Sequence, residues 1–116
     1  MKVTIKKTTK KKKEKTEKMI QSEIMRFLDK IGCSADVISN TGYGKKGIAD
    51  IIGCMADGKY IAIEVKRAKG KATELQKIWL DYKKSRGAIV MIARSVEDVR
   101  RELALHGYTF HRMQLS

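Results

Sequence analysis

The segment from Ile48 to Lys66 constrains the fold more than any other: two largely apolar runs flank the turn Ala56-Asp57-Gly58. A three-residue connection ending in glycine signals a hairpin, because glycine enters the left-handed backbone region at little cost. The pattern predicts strands over 48–55 and 59–66. Side chains alternate faces along a strand, so Glu64 and Lys66 share one face while Ile61, Ile63 and Val65 take the other. If Met55 faces Lys59, counting back along both strands sets Asp50 opposite Glu64, with Cβ atoms about 5 Å apart. Two neighbouring acids on a strand pair of core quality are destabilising unless a cation lies between them.

The rest of the chain supplies elements to cover such a hairpin. Ile20, Ile24, Phe27, Leu28 and Ile31 recur at helical spacing and predict an amphipathic helix over 17–31, stopped by Gly32. Glu23 falls on or beside the buried stripe of that helix, a position from which a carboxylate either looks into a site or merely flanks the core. A short strand over 35–40 leads into Thr41-Gly42-Tyr43-Gly44-Lys45-Lys46-Gly47. Such a glycine-rich loop allows close approach of backbone to a ligand, although its spacing fits neither the P-loop nor the dinucleotide fingerprint. Thr73-Glu74-Leu75-Gln76 is a capping box opening a helix that runs to Gly87. Ala88 to Ala93 is a continuous apolar run suited to a central strand, parallel to the strand of Glu64 through the helical crossover. Ser95 opens a last helix with Val96, Val99, Leu103 and Leu105, ended by Gly107, and 108–113 reads as a closing strand. The order is α-β-β-β-α-β-α-β, an α/β chain with an α+β sheet core.

With 116 residues the chain is about one domain long. Its formal net charge of +13 and isoelectric point near 9.9 point to a polyanionic partner. The first 18 residues hold nine lysines against Glu14 and Glu17. We therefore expect 1–16 to be a basic, flexible arm, either a sequence-blind phosphate binder or a solubilising tail, and 17–116 to be a single domain. Lys45, Lys46, Arg67, Lys69 and Lys71 add positive charge around the acids. No apolar run approaches the ~18 residues needed to span a bilayer, and no secretory signal follows the lysines, so no membrane role and an intracellular location are expected. Cys33 and Cys54, far apart and without close cysteine or histidine neighbours, read as small core residues. His106 and His111 have no matched partners that would give them catalytic work.

Converging carboxylates favour hard oxygen-seeking cations, Mg2+ or Mn2+, with Asp50 and Glu64 as ligands and the Val65 carbonyl as a third. Lys66, on the same face, is placed to position or deprotonate an attacking water, or to neutralise charge at a phosphate. The competing reading is a surface Glu-Lys pair on an exposed strand, in a basic nucleic-acid-binding module without catalysis. An RNA-directed role lacks a signature of stacking aromatics.

The run Gly47-x-x-Asp50, the hairpin, Glu64-x-Lys66 and then Gln76 resembles the PD-(D/E)xK nuclease superfamily. Within it, Lys46-Gly47, Glu64-Val65-Lys66-Arg67 and Gln76-Lys77-x-Trp79-Leu80 resemble the VRR-NUC family over roughly 17–93. The resemblance implies a restriction-endonuclease-like αβββαβ core with a mixed sheet flanked by helices, plus an extra C-terminal helix and strand. It also implies metal-dependent DNA cleavage: metal ligation by Asp50 and Glu64, catalysis by Lys66, assistance from Gln76, and an acid on the first helix, Glu23, completing the site. Gln76 is equally the expected partner in the capping box. Ala49 stands where the superfamily has proline, a backbone difference without chemistry of its own. Stand-alone members resemble compact viral or phage nucleases that work as homodimers on branched DNA such as four-way junctions, in the cytoplasm of a bacterial host. Trp79, Leu80 and Tyr82 are candidates for a dimer interface or for the core.

Overall fold

The computed structural model describes residues 13–38 and 47–110. The predicted loop cations Lys45 and Lys46, the greater part of the lysine arm, and His111 lie outside the described residues.

Seven elements follow in the order α1 (Glu17–Lys30), β1 (Ser34–Val37), β2 (Ile51–Cys54), β3 (Tyr60–Val65), α2 (Glu74–Ser85), β4 (Ile89–Ala93) and α3 (Val96–Leu105). The strands form one mixed sheet in spatial order β1-β2-β3-β4. β1–β2 and β2–β3 pair antiparallel, whereas β3 and β4, joined through α2, pair parallel. The hairpin register is the one its turn dictates: Cys54 faces Tyr60 and Ile51 faces Ile63. Met55 N–H donates to Lys59 O at 2.8 Å, and Gly58 closes the turn at φ +91°.

Alternation along the strands sorts the core into two layers. Ile51, Ile61, Ile63, Val65, Ile89 and Met91 pack under α1 and α3 against Ile24, Phe27, Leu28, Val99 and Leu103. Ala49 and Ala62, flanked by Ile52, Tyr60, Val90 and Ile92, meet Leu80 and Trp79 of α2 on the other face. Glu64 and Lys66 follow Ala62 at steps of two, so they belong to the α2 face. Each helix starts at a hydroxyl cap: Thr16, Thr73 and Ser95 accept from Met19, Gln76 and Asp98 N–H.

Three expectations are corrected. The first two strands are shorter than predicted, β1 ending at Val37 and β2 beginning at Ile51. Cys54 is exposed, not a core residue: it shares the face of Ile52 and Tyr60 but ends β2 at the turn, at the margin of that layer; Cys33 is buried. Tyr108 to Phe110, the described part of the predicted closing strand, forms no strand. Its aromatics are used for packing instead. Phe110 meets Phe27 edge-on with ring centroids 5.7 Å apart, and the Tyr108 hydroxyl donates to Asp57 Oδ2 at 2.6 Å.

Candidate active site

Extending the hairpin register by one pair beyond Ile51 and Ile63 brings Asp50 opposite Glu64, where β2 begins and β3 ends. Asp50 Oδ2 accepts from the Val65 backbone N–H at 2.9 Å, which aims its carboxylate across the strand at Glu64. The approach to Asp50 is fixed by Gly47. Its φ is +89°, and a Cβ there would lie 2.9 Å from the Leu75 carbonyl oxygen, so only glycine lets the chain pass the first turn of α2 so closely.

Glu64 is 1% exposed, the only charged residue buried to this degree among the described residues. Its Oε2 accepts from Gln76 Nε2 at 2.8 Å and lies 3.2 Å from Lys66 Nζ. Its Oε1 is buried and finds no donor. Burial first, and then the charge of Asp50, push the Glu64 carboxyl up to about 7, against the pull of Lys66. Asp50 is also raised, by burial, although the Val65 N–H and Lys66 favour its charged form. The charge of Asp50 across the strand pair is thus part of what inclines Glu64 to keep its proton.

Gln76 resolves its two expected roles by filling both. Its amide oxygen accepts from Thr73 N–H at 2.8 Å as the returning half of the capping box, while Thr73 Oγ1 accepts from Gln76 N–H at 3.1 Å. With the oxygen committed to the cap, the amide nitrogen is left to donate to Glu64. The helix cap thus orients a donor onto the buried acid. Lys66 is half-sequestered, its side chain 13% exposed, and its backbone N–H donates to Ala93 O at 3.0 Å, carrying the parallel pairing up to the site.

Arg67, Lys69 and Lys71 are exposed on the segment that leaves Lys66. Arg94, just past β4, folds this segment back. Its guanidinium donates to Gly70 O at 2.6 Å and Ala68 O at 3.3 Å, and its backbone N–H to Asp98 Oδ2 at 2.8 Å.

The structure brings together Asp50, Glu64, Val65, Lys66 and Gln76, but not Glu23. Glu23 pairs with Lys15 at 2.9 Å and lines a groove with Arg26, Phe27, Lys30, Val96 and Arg100 between α1 and α3. The cause is the layering: α1 packs on the sheet face opposite Glu64. The acid of α1 that comes near Asp50 is Glu17, in the first turn. Its charge acts on Asp50, and its Oε2 lies 3.5 Å from where a Cβ on Gly70 would stand. Periodicity marked Glu23 because it adjoins the buried stripe; Glu17 carried no signal beyond being an acid in the first turn. His106 lies on the surface, 3.6 Å from Glu102.

The donor set suits a hard cation. Among the described residues no cluster of three or more carboxylate, imidazole or thiol groups exists. A pair of carboxylates is what Mg2+ ordinarily takes, water completing its shell. The unsatisfied Glu64 Oε1 beside the raised Asp50 carboxyl is the vacancy in hydrogen bonding that a cation would fill.

The model of the VRR-NUC domain matches residues 4–97. Two solved structures resemble the fold. One described as a VRR_NUC domain superposes with a TM-score of 0.65 at 23% identity, covering 81% of this chain and 100% of that one. Another, described as a VRR_NUC domain protein, gives 0.62 at 18% identity, with 85% and 95% covered. No curated protein matches the chain.

Proposed function

The chain belongs to the VRR-NUC family of nuclease-type domains, and on that premise we propose that it is a Mg2+- or Mn2+-dependent DNA endonuclease that hydrolyses phosphodiester bonds. The observation that carries the reading is Glu64: a buried carboxyl with one oxygen unsatisfied, an acid opposite it and an ammonium beside it. A buried ionisable cluster of this kind is costly to a fold that makes no use of it.

Asp50 and Glu64, with the Val65 carbonyl, would hold the ion. The chemistry such an ion would supply there is a lowered pKa for the attacking water and compensation of the charge developing on the phosphate. The protein's own groups do the rest. The Val65 N–H fixes Asp50, and Gln76 fixes Glu64 Oε2, so the ligand oxygens are set before substrate arrives. Lys66 Nζ, 3.2 Å from Glu64, is placed to orient the attacking water by hydrogen bonding or to neutralise a phosphate oxygen. Arg67, Lys69 and Lys71 flank the site and would grip the backbone, as would Lys45, Lys46 and the lysine arm of 1–16.

The family likeness suggests branched DNA, such as four-way junctions, as substrate. One site per chain then calls for a homodimer, whose twofold axis would relate the two cuts. No described helix is long and apolar enough to cross a membrane.

Cleavage of labelled linear and four-way-junction DNA tests the reading, with Mg2+, Mn2+ or EDTA, for the unaltered chain and for Asp50→Ala, Glu64→Ala and Lys66→Ala. Metal-dependent products lost in all three variants are expected. Unchanged cutting by the acid variants would remove the site. Salt-sensitive binding with no turnover in any metal would leave a non-catalytic nucleic-acid-binding module.

A further inference from the structure

On the sheet face that carries Glu64, but at the other end of α2, lies a cleft of about 310 Å³ lined by Tyr60, Tyr82, Lys83, Arg86, Gly87 and Ala88. The lining holds two aromatic rings and two cations and no acid. Lys83 Nζ stands 5.6 Å from the Tyr60 ring centroid and 5.0 Å from that of Trp79. The Arg86 guanidinium lies 4.4 Å from the Tyr82 centroid, and its Nη2 donates to the Tyr82 hydroxyl at 3.0 Å. Arg86 Nη1 donates to Ser85 Oγ, which in turn donates to the Tyr82 carbonyl, so the ring and the guanidinium are held together. Tyr82 is nevertheless 58% exposed, a large ring left facing solvent.

We propose that the cleft between Tyr60 and Tyr82 is a second nucleic-acid subsite that takes an unpaired nucleotide of the DNA substrate, its base against the Tyr82 ring and its phosphate on Lys83 and Arg86. The proposal rests on the nuclease reading and names the feature of the substrate that this face would recognise. Exposed aromatic rings interleaved with cations are the chemistry that binds single-stranded nucleic acid, because every base has a π-face while duplex bases have theirs covered. Distance fits as well. Tyr60 precedes Glu64 by four residues on one face of β3, so the subsite is about 13 Å from the buried acid at ~3.3 Å per residue. A few nucleotides of single strand span that distance, which would set the cut a short, fixed distance from an unpaired position. The aromatics come from β3 and α2, 22 positions apart in the chain, and only the fold assembles them.

Fluorescence anisotropy in EDTA, where no cutting intervenes, tests the subsite with the full chain against labelled oligo-dT and a fully paired duplex of equal length. Tyr82→Ala is expected to weaken oligo-dT binding about tenfold or more, with a much smaller effect on the duplex, while Tyr82→Phe keeps the preference. Arg86→Ala is expected to flatten the salt dependence of oligo-dT binding. An unchanged ratio of single-strand to duplex affinity in Tyr82→Ala would overturn the proposal. So would a Tyr82→Phe variant as deficient as Tyr82→Ala, since stacking needs the ring and not the hydroxyl. Sedimentation velocity covers the other occupant: dissociation of a dimer by Tyr82→Ala with unchanged oligo-dT affinity would make the patch a contact between copies. Failure of the nuclease reading is separable, appearing as absent metal-dependent cutting whatever the anisotropy gives.

Discussion

Glu64→Gln should make the metal-free protein more stable at pH 8 while abolishing its response to divalent metal. Glu64 titrates at about 7 in the folded chain against an ordinary 4.5, because burial and Asp50 oppose its charge. A folded-state pKa above the unfolded one means tighter proton binding in the folded state. The associated stability is therefore fully present below about pH 4.5 and is lost as pH rises through about 7. At ~1.4 kcal/mol per pH unit of displacement, ionised Glu64 costs about 3 kcal/mol at pH 8. For a folded unit of roughly 100 residues this corresponds to a Tm change of about 15 °C. Glutamine mimics the protonated acid. Its carbonyl still accepts from Gln76 Nε2, and its amide can donate to Asp50. Differential scanning fluorimetry in EDTA between pH 4.5 and 8.5 should show the unaltered protein losing Tm with rising pH, and Glu64→Gln holding level and standing above it at pH 8. Added Mg2+ should raise Tm of the unaltered protein at pH 8 by mass action and leave Glu64→Gln unmoved. If Glu64→Gln is instead the less stable at pH 8 in EDTA, with a pH profile parallel to that of the unaltered chain, the acid is not strained by its neighbours and the reasoning fails.

Lys66→Ala should lower the cleavage rate about 10²- to 10⁴-fold while Mn2+ affinity changes little, as followed by single-turnover kinetics and metal titration. Gln76→Glu keeps an acceptor for the Thr73 N–H but sets a carboxylate against Glu64. It should preserve helix content by circular dichroism and lose cleavage, whereas equal activity would mean that the amide nitrogen does nothing at the site. Gly47→Ala forces a side chain into left-handed backbone within 2.9 Å of Leu75 O, and should cost about 1–3 kcal/mol in urea unfolding, with weaker metal binding through displaced Asp50.

Much of this site was legible in the chain because its determinants are local. A three-residue turn fixes the hairpin register, the register fixes which residues oppose, and strand alternation fixes the face of Glu64 and Lys66. The Thr73 capping box was equally local, and its second use, presenting Gln76 to Glu64, followed from where the crossover lands α2 on the sheet. What was not legible depends on how layers meet. Helical periodicity identified the buried stripe of α1 but not the sheet face on which the helix packs, so Glu23 was expected at the site and instead lies in the groove between α1 and α3. Tyr108 and Phe110 alternate as strand residues do, yet Phe27 and Asp57 offer them a ring contact and a hydroxyl acceptor, and the chain takes those in place of a ladder. The aromatic-cationic cleft was hidden for the same reason, its walls coming from separate elements.

Asp50 and Glu64 are proposed to hold a divalent cation between them. Crystals soaked in Mn2+ and measured at the manganese absorption edge test it most directly. An anomalous peak is expected within coordination distance of both carboxylates and the Val65 carbonyl, absent in Glu64→Ala. A peak elsewhere, or none near a site still built as described, would contradict it.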